Sequence, residues 1–358
     1  MKDLVSDYLW DGSGEKDAEA VRLERALAGF RHAGREPQWP DGATLPGLGE
    51  AGTNRQHWFQ FMAVAASVLI LASGWFGLRV AEEPVTSTGS WDVQSVAGAP
   101  KVGANFVKGP GDTVRLRAGQ WLETDGKSQA SLTVTEIGKI NVEPGTRLRL
   151  VESREGRTWM KLERGTIHAF IWAPAGQFMV DTPSALAVDL GCRYTLQVDD
   201  KGQGVLRTTM GWVGFKLNGR EAFIPQGAVD ETRPGVGPGT PFFEDADPEF
   251  LAALKRFDFE GLSEEQRKLA LNVILARARN KDALTLWHLL SRAPLGERDR
   301  VFDVLNRFVP APTGVTKDGI AREDQPMLDA WWNELGFDDI SVWRTWERKE
   351  IENTSKRH

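Results

Sequence analysis

The sequence has little of the chemistry on which metal sites and many active sites depend. It contains one cysteine, Cys192, and five histidines among 358 residues. A single cysteine excludes an intramolecular disulfide and the cysteine clusters of most structural zinc sites. No pair of histidines has the spacing of a metal-binding motif. The histidines are His32, His57, His168, His288 and His358. We therefore expect no bound metal and a fold held together by packing.

Catalytic motifs are also missing. No Gly-x-x-x-x-Gly-Lys phosphate loop is present, and the glycine-rich run 235–239 lies between prolines, which is typical of a linker. The pair Asp199-Asp200 precedes Lys201-Gly202 and is typical of a hairpin turn. Cys192 lies in an apolar strand pattern, which favours an inert buried thiol over a nucleophile. The prediction is a protein without enzymatic activity, catalytic residues or cofactor.

Positive charge is not in excess. The chain has 44 Lys and Arg residues against 50 Asp and Glu residues, a net charge of −6. Because phosphate recognition depends on clustered Lys and Arg, we expect no nucleic-acid partner.

Charge is absent altogether from residues 58–78, which read WFQFMAVAASVLILASGWFGL. At about 1.5 Å per residue this run reaches about 31 Å, close to the ~30 Å hydrocarbon core of a bilayer. Trp58 and Trp75 lie near its ends, and Arg55 and Arg79 flank it. Buried helices of soluble domains seldom run so long without a charge, and a cleaved signal peptide is shorter and nearer the N-terminus. The sequence predicts one transmembrane helix over 58–78, with the lipid bilayer as its surroundings.

The residues before this run predict a small helical segment and a linker. Within residues 1–34, Leu23, Leu27 and Phe30 recur at helical spacing on a short amphipathic helix. So short a segment cannot bury its own apolar stripe. It therefore either binds a cytoplasmic partner through these three residues or remains a loosely folded tail. Residues 35–57, rich in proline and glycine, predict a flexible linker.

The residues after the run change to a strand pattern. Residues 79–104 predict a second tether or a weak first strand. From 105 to 230, short alternating or β-branched runs are punctuated by glycine or proline about every ten residues, which predicts an all-β domain built as a sandwich, a barrel or a solenoid-like roll. The predicted strands include 113–116, 131–134, 139–142, 147–151, 158–162, 167–171, 178–180, 194–198, 205–208, 213–217 and 222–224.

A series of motifs in this β region resembles the FecR domain. Its first half comprises residues 119–124 (GQWLET), 128–133 (SQASLT) and 138–148 (GKINVEPGTRL). Its second half comprises residues 162–165 (LERG), 178–183 (FMVDTP), 190–194 (LGCRY) and 211–213 (GWV), with Cys192 where the family usually has threonine. These motifs are turn and packing devices, and the resemblance assigns no ligand-binding residue.

The resemblance implies a bacterial inner-membrane protein with a cytoplasmic N-terminus and a periplasmic FecR domain. In such proteins a signal passes from an outer-membrane receptor to a cytoplasmic sigma factor, so the implied partners are a sigma factor and a periplasmic or outer-membrane protein. Two features differ from the family. The N-terminal segment lacks the His and Cys pattern of zinc-containing anti-sigma domains, and the C-terminal region does not look like the small α/β module of the transducers.

The C-terminal region changes to helical periodicity. Residues 231–244 predict a linker and residues 245–358 an all-α region. Ser263 and Gln266 form a capping-box pattern, followed by a predicted buried stripe of Leu269, Val273 and Ile274. The tryptophans of the last helices are expected mainly in the core, with any exposed ones marking a docking surface.

Two functions fit these observations. The first is a single-pass membrane signalling protein that controls a sigma factor by sequestration and release. The alternative is an envelope scaffold that binds cell-wall polymer or another membrane complex. An envelope enzyme would need a clustered catalytic site that the sequence does not suggest.

Overall fold

The computed structural model describes residues 89–109, 111–134 and 136–355. The predictions for the N-terminal helices, the linker 35–57 and the transmembrane helix 58–78 therefore lie outside the described residues. Among the described residues, no helix combines the length and the apolar character needed to cross a membrane. All of them fall within one compact unit, residues 81–358.

Eighteen strands and then seven α-helices make up the described part of the chain. The strands are β1 (Ser90–Ala97), β2 (Lys101–Val102), β3 (Asn105–Phe106), β4 (Thr113–Arg117), β5 (Trp121–Glu123), β6 (Gln129–Val134), β7 (Gly138–Val142), β8 (Arg147–Arg154), β9 (Arg157–Ile171), β10 (Phe178–Asp181), β11 (Leu186–Asp189), β12 (Arg193–Val198), β13 (Gly204–Met210), β14 (Trp212–Leu217), β15 (Arg220–Pro225), β16 (Ala228–Arg233), β17 (Gly237–Pro238) and β18 (Phe242–Phe243). The helices are α1 (Pro248–Phe259), α2 (Glu264–Arg277), α3 (Ala283–Arg292), α4 (Arg298–Phe308), α5 (Lys317–Ala321), α6 (Gln325–Glu334) and α7 (Ser341–Ser355). An all-β region is thus followed by a helical region, as the sequence predicts.

The strands form two sheets that share β9. Sheet A has the order β4-β1-β6-β7-β9-β12-β13-β16, with β17 and β18 both beside β16. Sheet B has the order β3-β2-β5-β8-β9-β10-β11-β14-β15. Only the β9–β10 pair is parallel among these strands. Eight of the seventeen successive strand pairs are hydrogen-bonded neighbours. Most of the other connections pass from one sheet to the other.

Strand β9 passes from one sheet to the other at Gly165. Its first half pairs with β8 in sheet B, and its second half pairs with β7 and β12 in sheet A. Gly165 has φ +99°, and a Cβ atom there would lie 2.3 Å from the Cα of Thr146. Only glycine fits this bend. The sequence predicts two strands, 158–162 and 167–171, because the glycine between them looks like a turn.

The two sheets pack face to face around one core. Trp91 of sheet A contacts Phe178 of sheet B with ring centroids 6.4 Å apart. The Trp91 indole N–H donates to Ser153 Oγ on β8 at 3.2 Å. Alternate residues of the long strands are buried and exposed, which is the pattern of a sheet with one face against a core. Of the predicted β architectures, the sandwich describes this arrangement best.

Of the two alternatives for residues 79–104, a tether or a weak first strand, residues 90–97 form a strand, β1, in which Trp91 and Val93 are fully buried. Two other segments differ from the sequence-based expectation. Residues 231–244, assigned to a linker, contain the end of β16 together with β17 and β18. In α2 the capping box of Ser263 and Gln266 is present, and of the predicted buried stripe Ile274 is buried but Leu269 and Val273 are exposed. Leu269 is 63% exposed, and the buried residues are Ala270, Leu271, Ile274 and Leu275.

The last helix, α7, packs against sheet B. The ring of Trp343 lies over Gly214 of β14, where a Cβ atom would stand 2.0 Å from the ring. Arg157 of β9 donates two hydrogen bonds to the Glu350 carboxylate, at 2.7 and 2.9 Å. The late tryptophans therefore belong to the core, because Trp331, Trp332 and Trp343 are fully buried and Trp346 is 8% exposed. They do not form a docking surface.

Candidate docking surface

The outer face of sheet A carries a patch of exposed apolar side chains, which we call the aromatic patch: Phe170, Trp172 and Met210. The alternation of β9 buries Ile167, Ala169 and Ile171 and leaves Phe170 on the solvent side. Trp172 follows directly after β9, and Met210 is the last residue of β13. Trp172 is 56% exposed and Met210 46%. Single exposed apolar side chains are ordinary, but exposed apolar side chains that lie next to one another are typical of interaction sites.

Two basic residues belong to the same row across the sheet. Lys139 of β7 is directly opposite Phe170, and Arg193 of β12 lies between Phe170 and Met210. Neighbouring strands are about 4.8 Å apart, so the four side chains form one continuous band. The Arg193 guanidinium stacks 4.4 Å from the centre of the Phe170 ring, a cation–π arrangement.

The aromatic rings of the patch are held in place. Trp172 donates its indole N–H to the Glu136 carbonyl at 2.7 Å. Its ring meets Phe170 edge to face at a centroid distance of 5.3 Å. Because the polar edge of the indole is already bonded, the exposed part is the apolar ring face. A rigid aromatic anchor loses little conformational entropy when a partner covers it.

The patch has two basic side chains, Lys139 and Arg193, against one exposed acidic neighbour, Glu136, whose carbonyl oxygen accepts the Trp172 indole. The Asp92 carboxylate lies 3.6 Å from the Arg115 guanidinium. The Glu143 carboxylate lies 3.2 Å from His168 Nε2 and accepts a hydrogen bond from the Gln129 side chain at 2.8 Å. Neither Lys139 nor Arg193 forms an ion pair with any residue that the structure describes. A partner here meets two basic groups that can donate hydrogen bonds to its carboxylates.

A cluster of polar side chains is buried where the helices meet the β domain. Arg220 donates to Asp258 at 2.6 Å, and Asp258 also accepts from the Thr240 amide at 2.7 Å. Burial lowers the pKa of Arg292 to about 10 despite the neighbouring carboxylates. Asp230 is completely buried, and neither carboxylate oxygen has a hydrogen-bond partner in the described part of the chain. Burial raises its pKa well above the usual range, although Arg292 and Arg220 oppose the shift.

His288 of α3 has a structural role in the same region. Its Nε2 accepts the Phe223 amide at 3.0 Å, so its Nδ1 carries the proton and donates to the Leu284 carbonyl at 2.8 Å. Burial, with Arg292 nearby, lowers the pKa of His288 well below 6.5. The neutral ring fastens α3 to β15, and it has no free nitrogen for a ligand.

Cys192 is buried, and its thiol donates to the Asp189 carboxylate at 2.8 Å. Burial and the adjacent Asp189 raise the pKa of the thiol well above 9.0. A thiol with so high a pKa is a poor nucleophile. Among the described residues, no three His, Cys, Asp or Glu side chains are placed to hold a metal ion.

The predicted partner contacts, Leu23, Leu27 and Phe30, lie outside the described residues and remain a prediction. The aromatic patch was not predicted, although the sequence carries its signal. In His168-Ala-Phe-Ile-Trp172 the aliphatic residues and the aromatic residues fall on opposite faces of an alternating strand. Two large aromatics on the face opposite the aliphatic residues indicate a surface patch.

Comparisons with known proteins find the following. No family model matches the chain, and no curated protein matches it. Two crystal structures of a Parabacteroides distasonis protein, provisionally described as an anti-sigma factor, resemble it with a TM-score of 0.31. They are 13% and 14% identical to this chain and cover 37% of it, and the chain spans about 63% and 62% of their length. At this TM-score the likeness carries no argument about function.

Proposed function

We propose that the chain is a single-pass inner-membrane regulator of the FecR type. In this proposal residues 1–34 lie in the cytoplasm and hold a sigma factor, residues 58–78 span the membrane, and the β domain receives a signal in the periplasm. The signal changes the hold of the N-terminal segment on the sigma factor. Sequestration and release then control transcription without any chemical step in this protein.

The ordered FecR-like motifs carry this proposal, and the fold supports them as a structural series. A Cβ atom on Gly138 would lie 2.6 Å from the Phe170 carbonyl oxygen, and one on Gly211 would lie 2.2 Å from the Gly191 carbonyl oxygen. Gly119 has φ +85°, which favours glycine. The motif glycines thus occupy positions that this sandwich reserves for glycine. Seven such motifs in one order are far more specific than any single one.

Co-purification tests the sigma-factor part of the proposal. The full-length protein, tagged and solubilised from its native host, should retain a sigma factor. Leu27→Asp should reduce the recovered sigma factor at least about tenfold, because a carboxylate on the apolar stripe cannot be buried without a large cost. Ala28→Asp is the matched control, since it adds the same charge about 100° away on the predicted helix.

Two results would contradict the proposal. One is recovery of no sigma factor with the wild-type protein. The other is equal recovery with wild type and Leu27→Asp. Recovery of cell-wall polymer in place of a sigma factor would favour the envelope scaffold.

A further inference from the structure

We propose that the aromatic patch, with Lys139 and Arg193, is the docking site for a partner polypeptide segment that carries carboxylates beside an apolar side chain. The inference rests on the geometry of sheet A and does not depend on control of a sigma factor.

The composition of the surface defines this partner. Phe170 and Trp172 on one side of Arg193, and Met210 on the other, provide the apolar side chains, and Trp172 is fixed by its bond to the Glu136 carbonyl. Fixed aromatics at the centre of a surface are the usual anchors of protein interfaces. The two basic groups beside them are not satisfied by carboxylates of the described residues. A segment with an apolar side chain flanked by Asp or Glu complements both features.

The charges argue against a second copy of this chain as the occupant. In a twofold dimer the same patch faces itself, so Arg193 of one protomer approaches Arg193 or Lys139 of its partner. Like charges at a desolvated interface are unfavourable. A partner of opposite charge removes this repulsion.

The shape of the surface argues against a lipid membrane. Phe170, Arg193 and Met210 lie in strands β9, β12 and β13, and Trp172 follows directly after the end of β9. To insert Phe170 into a bilayer, the sheet would have to bury the polar side chains around it, including Asn141, His168 and Thr195. Desolvation of these groups without partners is costly. A polypeptide segment can bond to them.

A selection experiment with random peptides tests the proposal directly. Displayed 12-residue peptides are selected on the immobilised full-length protein, and the affinity of the enriched peptides is then measured in solution by fluorescence polarisation. We expect enrichment of peptides with a net negative charge and at least one aromatic or large aliphatic residue. Arg193→Glu should weaken their binding at least about tenfold, whereas Arg193→Lys should retain most of it.

Arg117→Glu is the matched control. Arg117 is an exposed arginine on the same face of sheet A, on β4, five strands from β12 and so about 24 Å away. It should leave peptide binding unchanged. Met210→Ser tests the apolar part with a variant that removes no hydrogen bond and no charge, and it should also weaken binding. Unchanged melting temperatures show that each variant is folded.

Selection on the double variant Lys139→Glu/Arg193→Glu provides the sharpest outcome, because the enriched peptides should change from acidic to basic. The proposal is overturned if the enriched peptides have no preferred charge, or if they bind Arg193→Glu as tightly as wild type. It is equally overturned if the protein binds phosphatidylglycerol vesicles through Arg193 and selects no peptide, or forms a dimer that Met210→Ser dissociates.

Discussion

Asp189→Asn is expected to stabilise the protein at neutral and basic pH. Asp189 is 2% exposed, and burial raises the pKa of its carboxyl from 3.8 to about 7, against the hydrogen bonds from the Cys192 thiol and the Gly191 amide. The folded state therefore binds a proton that the unfolded state releases at lower pH. Stability from this group is present below pH 3.8 and is lost as the pH rises towards about 7.

The size of the effect follows from this interval. A carboxyl whose pKa differs by about three units between the folded and unfolded states changes the free energy of unfolding by about 4 kcal/mol. Asparagine has the same shape and no charge. Its oxygen still accepts the Gly191 amide, and its NH₂ group faces the Cys192 sulfur, a weak acceptor. The loss of the thiol hydrogen bond offsets a small part of the gain.

Urea unfolding of full-length wild type and Asp189→Asn, followed by tryptophan fluorescence between pH 4 and pH 8.5, measures this effect. The stability of the variant relative to wild type should rise by up to about 4 kcal/mol between pH 4 and pH 7.5 and then level off. Asp200→Asn, in an exposed turn, controls for the loss of one carboxylate. A difference between variant and wild type that does not change with pH would refute the reasoning.

Two further substitutions test the packing of the helical region. Gly214→Ala should destabilise the protein by about 1–3 kcal/mol in urea unfolding, because the new methyl group meets the buried Trp343 ring at 2.0 Å. Gly126→Ala is the control and should destabilise the protein little, because no atom lies within 4 Å of its new methyl group. Equal losses of unfolding free energy in the two variants would mean that α7 does not pack on β14. Ser263→Ala should lower the free energy of unfolding by about 1 kcal/mol, because it removes the N-cap of α2. Ser263→Asp should retain most of the stability, because aspartate also caps a helix. An unchanged free energy of unfolding in Ser263→Ala would show that the cap does not stabilise the protein.

The sequence predicted the strands best where alternation was unbroken. The predicted 139–142 and 205–208 runs lie within β7 and β13 of the structure. For the region of β1 the sequence left a tether and a weak first strand both open, because the region begins with a polar, proline-containing stretch, although Trp91 and Val93 alternate with polar residues. The continuity of β9 was hidden because a glycine ends a strand far more often than it bends one.

The helices show a different limit of sequence reasoning. In α2 the leucine, valine and isoleucine positions do not form one stripe, and the tertiary contacts select Ala270 and Leu271 over Leu269. The aromatic patch required knowledge of which strands are neighbours. Lys139, Phe170, Arg193 and Met210 are spread over about 70 residues of sequence, and only the register of sheet A places them in one row.

The most direct test of the proposed arrangement is cysteine labelling of the full-length protein in intact spheroplasts. Cys192 is 1% exposed, so the wild-type protein should not react with a membrane-impermeant maleimide while folded. Asp200→Cys, at a side chain that is 93% exposed, should be labelled in intact spheroplasts. Ser13→Cys should be labelled only after lysis. Equal labelling of both positions in intact spheroplasts, or recovery of the full-length protein in the soluble fraction, would contradict the account.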